Sequence, residues 1–170
     1  ARRIRPVTVI GLDDTDSREA GMCTTYVAAR LAAALEDAGA AVERTLLVRL
    51  NPAVEHKTRG NAALAVHTDA DPLLAFDRAT ELVGRAAEVD DPNTQPGLVV
   101  APGDPDGVPS AVSDFAREAV REHRTLSEAC SRADRAGYRT RGWAGGRGRI
   151  GALAAVGAWS AFGEWTAERI

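Results

Sequence analysis

Three carboxylates stand within four positions near the start of the chain, Asp13, Asp14 and Asp16, with hydroxyls at Thr15 and Ser17 between and after them. They follow a short apolar run, Val9, Ile10 and Leu12, that reads as a buried strand over about Thr8 to Asp13. A turn over Glu19 to Gly21 then leads through Met22, Cys23, Thr24 and Thr25 into an Ala/Leu-rich helix. Acids at a strand end followed by hydroxyls at a helix start suit metal and phosphate together. Hard oxygens hold Mg²⁺, and the free N–H groups of a helix start attract phosphoryl oxygens. On an extended segment Asp14 and Asp16 share one side and Asp13 takes the other. Such a cluster repels itself unless a cation or basic side chains neutralise it, the alternative being a solvated Asp-rich turn. A haloacid-dehalogenase pattern needs Thr or Val two residues after the second Asp. Arg18 stands there, which excludes it.

Three further segments carry candidate chemistry. Of the 21 basic residues 20 are Arg, so Lys57 is the only lysine. It heads Lys57-Thr58-Arg59-Gly60-Asn61, a polar loop between two predicted strands. Lysine is a compact point charge suited to phosphate, and arginine a planar fork. Two cations, a hydroxyl and an amide there form either a polyphosphate clamp or a solvated hairpin loop. Gly146, Gly148 and Gly151 spell G-x-G-x-x-G, with Arg147 and Arg149 between them. The segment sits late in the chain behind an Arg-rich stretch, which is wrong for a Rossmann fingerprint. It reads instead as a phosphate-approach loop or as tight helix packing through small residues. Asp90 to Gly97, DDPNTQPG, is a turn able to give another ligand or a base-recognition edge. Thr24 and Thr25 read from pattern alone as a helix cap, the alternative being hydroxyls that face a nucleotide. His56, His67 and His123 are scattered and form no metal triad pattern.

The elements that must position these residues follow from periodicity and punctuation. Helices are expected over Thr24–Ala38, Pro72–Glu88, Pro109–His123, Leu126–Ala136 and Ala152–Ala158. Strands are expected over 42–50, 62–68, 98–101, 138–143 and 162–170. Gly39 and Gly137 stop their helices, and Asp69 to Pro72 opens one. Strands and helices alternate with some connections too short for crossovers. The expected class is therefore α/β or α+β, with a mixed β-sheet and flanking helices in one compact unit. At 170 residues a single domain with a real core is allowed. The two cysteines, Cys23 and Cys130, suggest neither a disulfide framework nor a zinc site, and the cytoplasm is the default. No apolar run is long enough to span a bilayer. A net charge of −3 argues against a general nucleic-acid coat but leaves room for a local basic patch, such as Arg139 to Arg149.

GLDDTDSREAGMCTTY, LVRLNPAVEHKTRGNAAL, DDPNTQPG and GRGRIGALAAVGA occur in this order. Together they make the chain resemble, over nearly its whole length, the archaeal isoleucine-tRNA 2-agmatinylcytidine synthetases, the TiaS family. The resemblance implies an ATP-dependent kinase-like domain with a ferredoxin-like region over residues 1–170. By the same resemblance, residues 1–170 are expected to lack the OB-fold and zinc ribbon of the full family enzyme. It implies ATP and Mg²⁺, used to activate C2 of a wobble cytidine that agmatine then attacks. Carried over residue by residue, Thr24 is the threonine that becomes phosphorylated, and Asp13, Asp14 and Asp16 are metal and phosphate ligands. Asp14 and Lys57 join Thr24 as catalytic residues. Thr15, Ser17, Thr25, Arg59, Gly60, Asn61, Gly146, Arg147, Gly148 and Gly151 line the nucleotide. The partners implied are ATP and either tRNA or a small acceptor such as agmatine, with a partner chain or homo-oligomer as a further expectation. Two other readings share the same residues: a nucleotide- or RNA-binding module without turnover, and a metal-dependent nucleotide hydrolase.

Overall fold

The computed structural model describes residues 4–15, 24–50, 62–86, 94–163 and 167–169. Among the described residues six strands form one sheet in the order β5-β4-β1-β3-β2-β6. They are β1 (Thr8–Asp13), β2 (Val42–Arg49), β3 (Ala62–Thr68), β4 (Gly97–Pro102), β5 (Arg139–Gly142) and β6 (Ala167–Arg169). Five helices cover it: α1 (Thr24–Asp37), α2 (Pro72–Ala86), α3 (Ser110–Arg121), α4 (Leu126–Ala136) and α5 (Arg149–Phe162).

The α+β class expected from the sequence is the one observed, with one correction. Every strand pairing is antiparallel, where a mixed sheet was expected. The reason lies in the split β-α-β arrangement. Helices α1 and α2 connect strands that run in the same direction, which in sequence looks like parallel neighbours. In space β3 is inserted between β1 and β2, and β1 between β3 and β4. The central order β4-β1-β3-β2 is that of a ferredoxin-like unit.

Strand alternation splits the core into two layers. Ile10, Leu12, Leu64, Val66, Leu98 and Val100 pack with Val27, Leu31 and Leu35 of α1 and Ala75, Ala79 and Val83 of α2. Val9, Ala63, Ala65, Val99 and Ala101 face the other way, onto α3, α4 and α5. Both faces of the sheet are therefore covered, which is why β1 and β3 read as nearly continuous apolar runs.

Helix α5 is the central piece of the second layer. It is twice the length the sequence suggested, and Gly151 to Ala158 are buried without interruption. A helix that is apolar all round belongs inside a protein. Its small residues let it lie directly on the sheet. A side chain at Gly11 of β1 would collide with the carbonyl of Ala152, and one at Gly157 with the carbonyl of Val112 in α3. Helix α4 matches its expected bounds. Thr125 Oγ1 accepts from Glu128 N at 3.1 Å, and Gly137 closes the helix at φ 77°.

The end of the sheet that carries Thr8 and Thr68 is sealed by hydroxyls. Thr8 Oγ1 donates to Ala70 O at 2.6 Å, and Thr68 Oγ1 to Ala41 O at 2.7 Å. Beside them His67 is fully buried. Arg44 Nη1 lies 2.9 Å from its Nδ1. Arginine only donates, so Nδ1 accepts and the neutral ring carries its proton on Nε2. Trp159 of α5 meets His67 edge-on at 5.6 Å, and the Arg44 guanidinium stacks 4.2 Å from a Trp159 ring centroid. Burial, and then the Arg44 charge, push the His67 pKa down to about 3, against a smaller opposing effect of Asp104.

Candidate functional site

The opposite end of the sheet gathers the segments that the sequence singled out. Strand β1 ends there at Asp13, which pairs with Gly97 at the start of β4. Gly97 in turn pairs with Gly142 at the end of β5. Arg49, the last residue of β2, pairs with Ala62, the first of β3. Four segments that lie far apart in the chain thus leave or enter the sheet at one edge. They are the acids after β1, the chain between β2 and β3, the approach to β4, and the Gly-rich segment between β5 and α5.

Three of them touch. Asp13 Oδ1 accepts the backbone N–H of Asp14 at 2.8 Å. Asp14 has φ 58°, a left-handed conformation that only a few non-glycine residues adopt, Asp and Asn among them. This turn aims its carboxylate across the strand end. Asp14 Oδ2 accepts from Gln95 N at 2.9 Å and from Arg147 Nη2 at 2.9 Å. The Asp14 side chain is 12 % exposed and that of Arg147 28 %, so the pair is largely shielded from water. Gln95 fastens the Gly-rich segment from the other side. Its carbonyl accepts from Gly148 N at 2.8 Å, and its Oε1 from Arg147 N at 3.4 Å. Thr15 and Thr94 are fully buried beside this junction.

The glycines act here through what they lack. A Cβ at Gly151, the third residue of α5, would strike the Asp13 carboxylate. One at Gly148 would sit 2.6 Å from Asp13 O and 2.9 Å from Gln95 O. Gly97 closes against the backbone of Gly148 and Arg149 in the same way. Gly146 takes φ 69° and turns the chain towards α5. The Asp13 carboxylate is thereby placed against the first turn of a long buried helix, where the helix dipole favours negative charge. Of the two readings of G-x-G-x-x-G, close packing accounts for Gly148 and Gly151. Arg149 turns back on its own loop, donating through Nε to Gly146 O at 3.0 Å. Arg147 points to the acids.

The structure thus brings together Asp13, Asp14, Thr15, Gly146, Arg147, Gly148 and Gly151 from the expected site. Asp16, Ser17, Lys57, Arg59, Gly60 and Asn61 lie outside the described residues, as do the side chains of Thr24 and Thr25. The backbone of Thr24 opens α1, and Arg49 and Ala62 flank the lysine-bearing segment. Among the described residues no group of three His, Cys, Asp or Glu is clustered as a metal site. Gln95 is the residue that sequence reasoning underrated. It looked like one polar position in a turn, yet it bonds both Asp14 and the Gly-rich segment. Its place just before Pro96-Gly97 and a buried strand was the available signal.

The chain has counterparts in sequence and in fold. The family model of the TiaS TCKD domain matches residues 9–71. The isoleucine-tRNA 2-agmatinylcytidine synthetase TiaS of Haloquadratum walsbyi is 57 % identical over 144 residues, covering 84 % of this chain and 31 % of that protein. The chain spans about a third of the length of the curated relatives it matches. In three dimensions it is similar to a crystal structure of TiaS in complex with its isoleucine tRNA and ATP, at TM-score 0.82 and 35 % identity over 92 % of this chain and 36 % of that one. It is similar also to TiaS in complex with the same tRNA, AMPCPP and agmatine, at TM-score 0.79 and 32 % identity over 92 % and 37 %. Sequence and fold agree: over about a third of the length of its relatives, the chain matches the TiaS family.

Proposed function

We propose that this chain is an ATP- and Mg²⁺-dependent phosphotransferase-like domain serving the modification of a tRNA wobble cytidine with agmatine. One observation carries the reading. The strand-end acids, the Thr94–Gly97 approach and the Gly-rich segment converge at the first turn of buried α5. Relatives with this fold have been crystallised with tRNA, ATP or its analogue AMPCPP, and agmatine.

The donor set suits the cation. Mg²⁺ is commonly held by one or two carboxylates together with nucleotide phosphates, and Asp13 and Asp14 offer hard oxygens at successive positions of the strand end. Bound there, it would supply charge neutralisation on the phosphates. The chain's own residues do the rest. Asp13 is held at the α5 N-terminus. Arg147, paired with Asp14, would share its charge with an arriving phosphate. Lys57 and Arg59 belong to the segment that starts and ends at the same sheet edge. They would neutralise charge as it shifts during transfer. Thr15, Ser17, Thr25, Gly60 and Asn61 complete the lining of the nucleotide, and the Thr24 hydroxyl is the phosphoryl acceptor.

The test is incubation with Mg²⁺ and ATP labelled at the α or γ position, followed by mass spectrometry of the protein and its soluble products. Phosphate on Thr24 with nucleotide release is the expected result. Asp14→Asn and Lys57→Met should each abolish turnover while leaving the circular dichroism spectrum unchanged. Turnover retained in both would overturn the site. ATP binding without any product would leave a non-catalytic nucleotide-binding module, and phosphate release without an acceptor would indicate a hydrolase.

A further inference from the structure

Among the described residues strand β5 is an edge of the sheet, paired with β4 on one side only. It carries Arg139 and Arg141, both exposed. Two residues apart on a strand, they lie on the same face, about 7 Å from each other along the chain. That distance is comparable to the step between successive phosphates of an extended single strand. The strand then runs into Trp143, whose ring is only partly buried and lies 5.3 Å from the Arg141 guanidinium. Trp143 N donates to Pro96 O at 3.0 Å, and its carbonyl accepts from Gly146 N at 2.9 Å. The aromatic residue is therefore fixed to both segments that bind Asp14. Trp143 Nε1 also lies 3.6 Å from where a Cβ would stand on Gly84, beside Arg85 in the last turn of α2. Arg85 is paired with Glu81 at 3.4 Å, but both groups are exposed and the pair is weak.

In a chain of net charge −3 this is a concentrated basic and aromatic strip, and it leads directly to the candidate site. Arginines that track a backbone and an aromatic ring beside them are the recognition chemistry of single-stranded nucleic acid. A sheet edge bearing charged side chains is also protected against pairing with other strands, which disfavours a second copy as occupant.

We propose that the Arg139–Arg141–Trp143 edge holds a single-stranded RNA segment on its way to the nucleotide site. The proposal rests on the phosphotransferase reading for what the RNA meets at the end of the strip, but RNA binding itself can be measured separately. The test is fluorescence anisotropy of a labelled ten-nucleotide single-stranded RNA on the whole chain, from about 50 to 200 mM salt. Wild type, Arg139→Ala/Arg141→Ala, Trp143→Leu and, as a control on the opposite layer, Arg117→Ala would be compared. ATP affinity by calorimetry would be measured on each.

The double arginine variant is expected to lose at least about tenfold in RNA affinity at low salt. Its log–log salt slope should flatten by about 1.4, the contribution of two single-strand phosphates. Trp143→Leu should lose several-fold at every salt concentration, and RNA should quench tryptophan fluorescence in wild type but not in that variant. Arg117→Ala should bind as wild type, and ATP affinity should hold in all four. Equal RNA affinity in wild type and the double arginine variant overturns the proposal. So does tighter binding of an acidic peptide than of RNA, which would make the strip a protein-docking surface. Loss of ATP binding in wild type would sink the nucleotide-site reading instead, and leaves the RNA comparison readable.

Discussion

The two ends of one sheet are built on opposite principles. At the end holding Thr8 and Thr68, side chains satisfy the backbone. Hydroxyls donate to loop carbonyls, and His67, Arg44 and Trp159 fill the space between sheet and α5. At the other end, side chains are withheld. Gly97 and Gly148 let backbone approach backbone, the room left at Gly151 is taken by the Asp13 carboxylate, and the Asp14 carboxylate accepts from Gln95 beside them. One end uses its residues for filling and the other for bringing polar groups close. The comparison teaches where substitutions should cost stability and where they should cost chemistry.

The sharpest way to break that division is to strike the element both ends share. Gly11 lies mid-strand under α5, and Gly11→Val forces the helix off the sheet. Overpacking of this kind should cost about 3 kcal/mol or more. It should lower Tm by roughly 10 °C and remove ATP binding as well. Gly151→Ala tests the site end alone. Its methyl group would displace the Asp13 carboxylate, so ATP affinity by calorimetry should fall more than about tenfold, with a loss of about 1 to 2 kcal/mol in thermal unfolding. A variant that binds ATP normally would mean that Asp13 is not held where the nucleotide needs it.

The far end should answer to acid instead. The folded-state pKa of His67 is near 3, below its ordinary value of 6.5, so the unfolded chain binds the extra proton between those values. Its contribution to stability is complete above about pH 6.5 and is lost as pH falls towards 3. In that window the slope approaches about 1.4 kcal/mol per pH unit. Tm of His67→Gln measured against wild type from about pH 7 to 4 should show the difference shrinking with acid. A constant difference would refute the burial of a neutral imidazole. The smallest effect is expected from Trp159→Leu, which removes the stack under Arg44. It should cost about 1 kcal/mol and leave ATP affinity unchanged.

What could be read in the sequence follows the range of the interactions involved. Strands β1 and β3 and helix α4 were legible to the residue, because apolar alternation and caps such as Thr125 and Gly137 act within a few positions. The antiparallel order was not, since a crossover helix looks the same whether its strands are neighbours or are separated by a third. Helix α5 was cut short because Arg149, Ile150 and Gly151 look like loop, and its run of Ala and Gly carries little periodic signal. Only the sheet beneath explains why small residues are required there. At the site, Asp13, Asp14 and Arg147 were legible as charged residues in suggestive places. That Asp14 and Arg147 hold each other, with Gln95 between, depends on a register no local pattern encodes.

The clasp between Asp14 and Arg147 joins positions 133 residues apart. Closing so long a loop is a search that local structure cannot shorten, and pairings of this kind slow folding. During synthesis Asp14 can meet Gln95 early, but its bond to Arg147 must wait until the segment leading into α5 has emerged. Helix α4 closes on its own capping groups before that. The Asp14–Arg147 junction is thus completed late, and it cannot form on a nascent chain that still lacks Arg147.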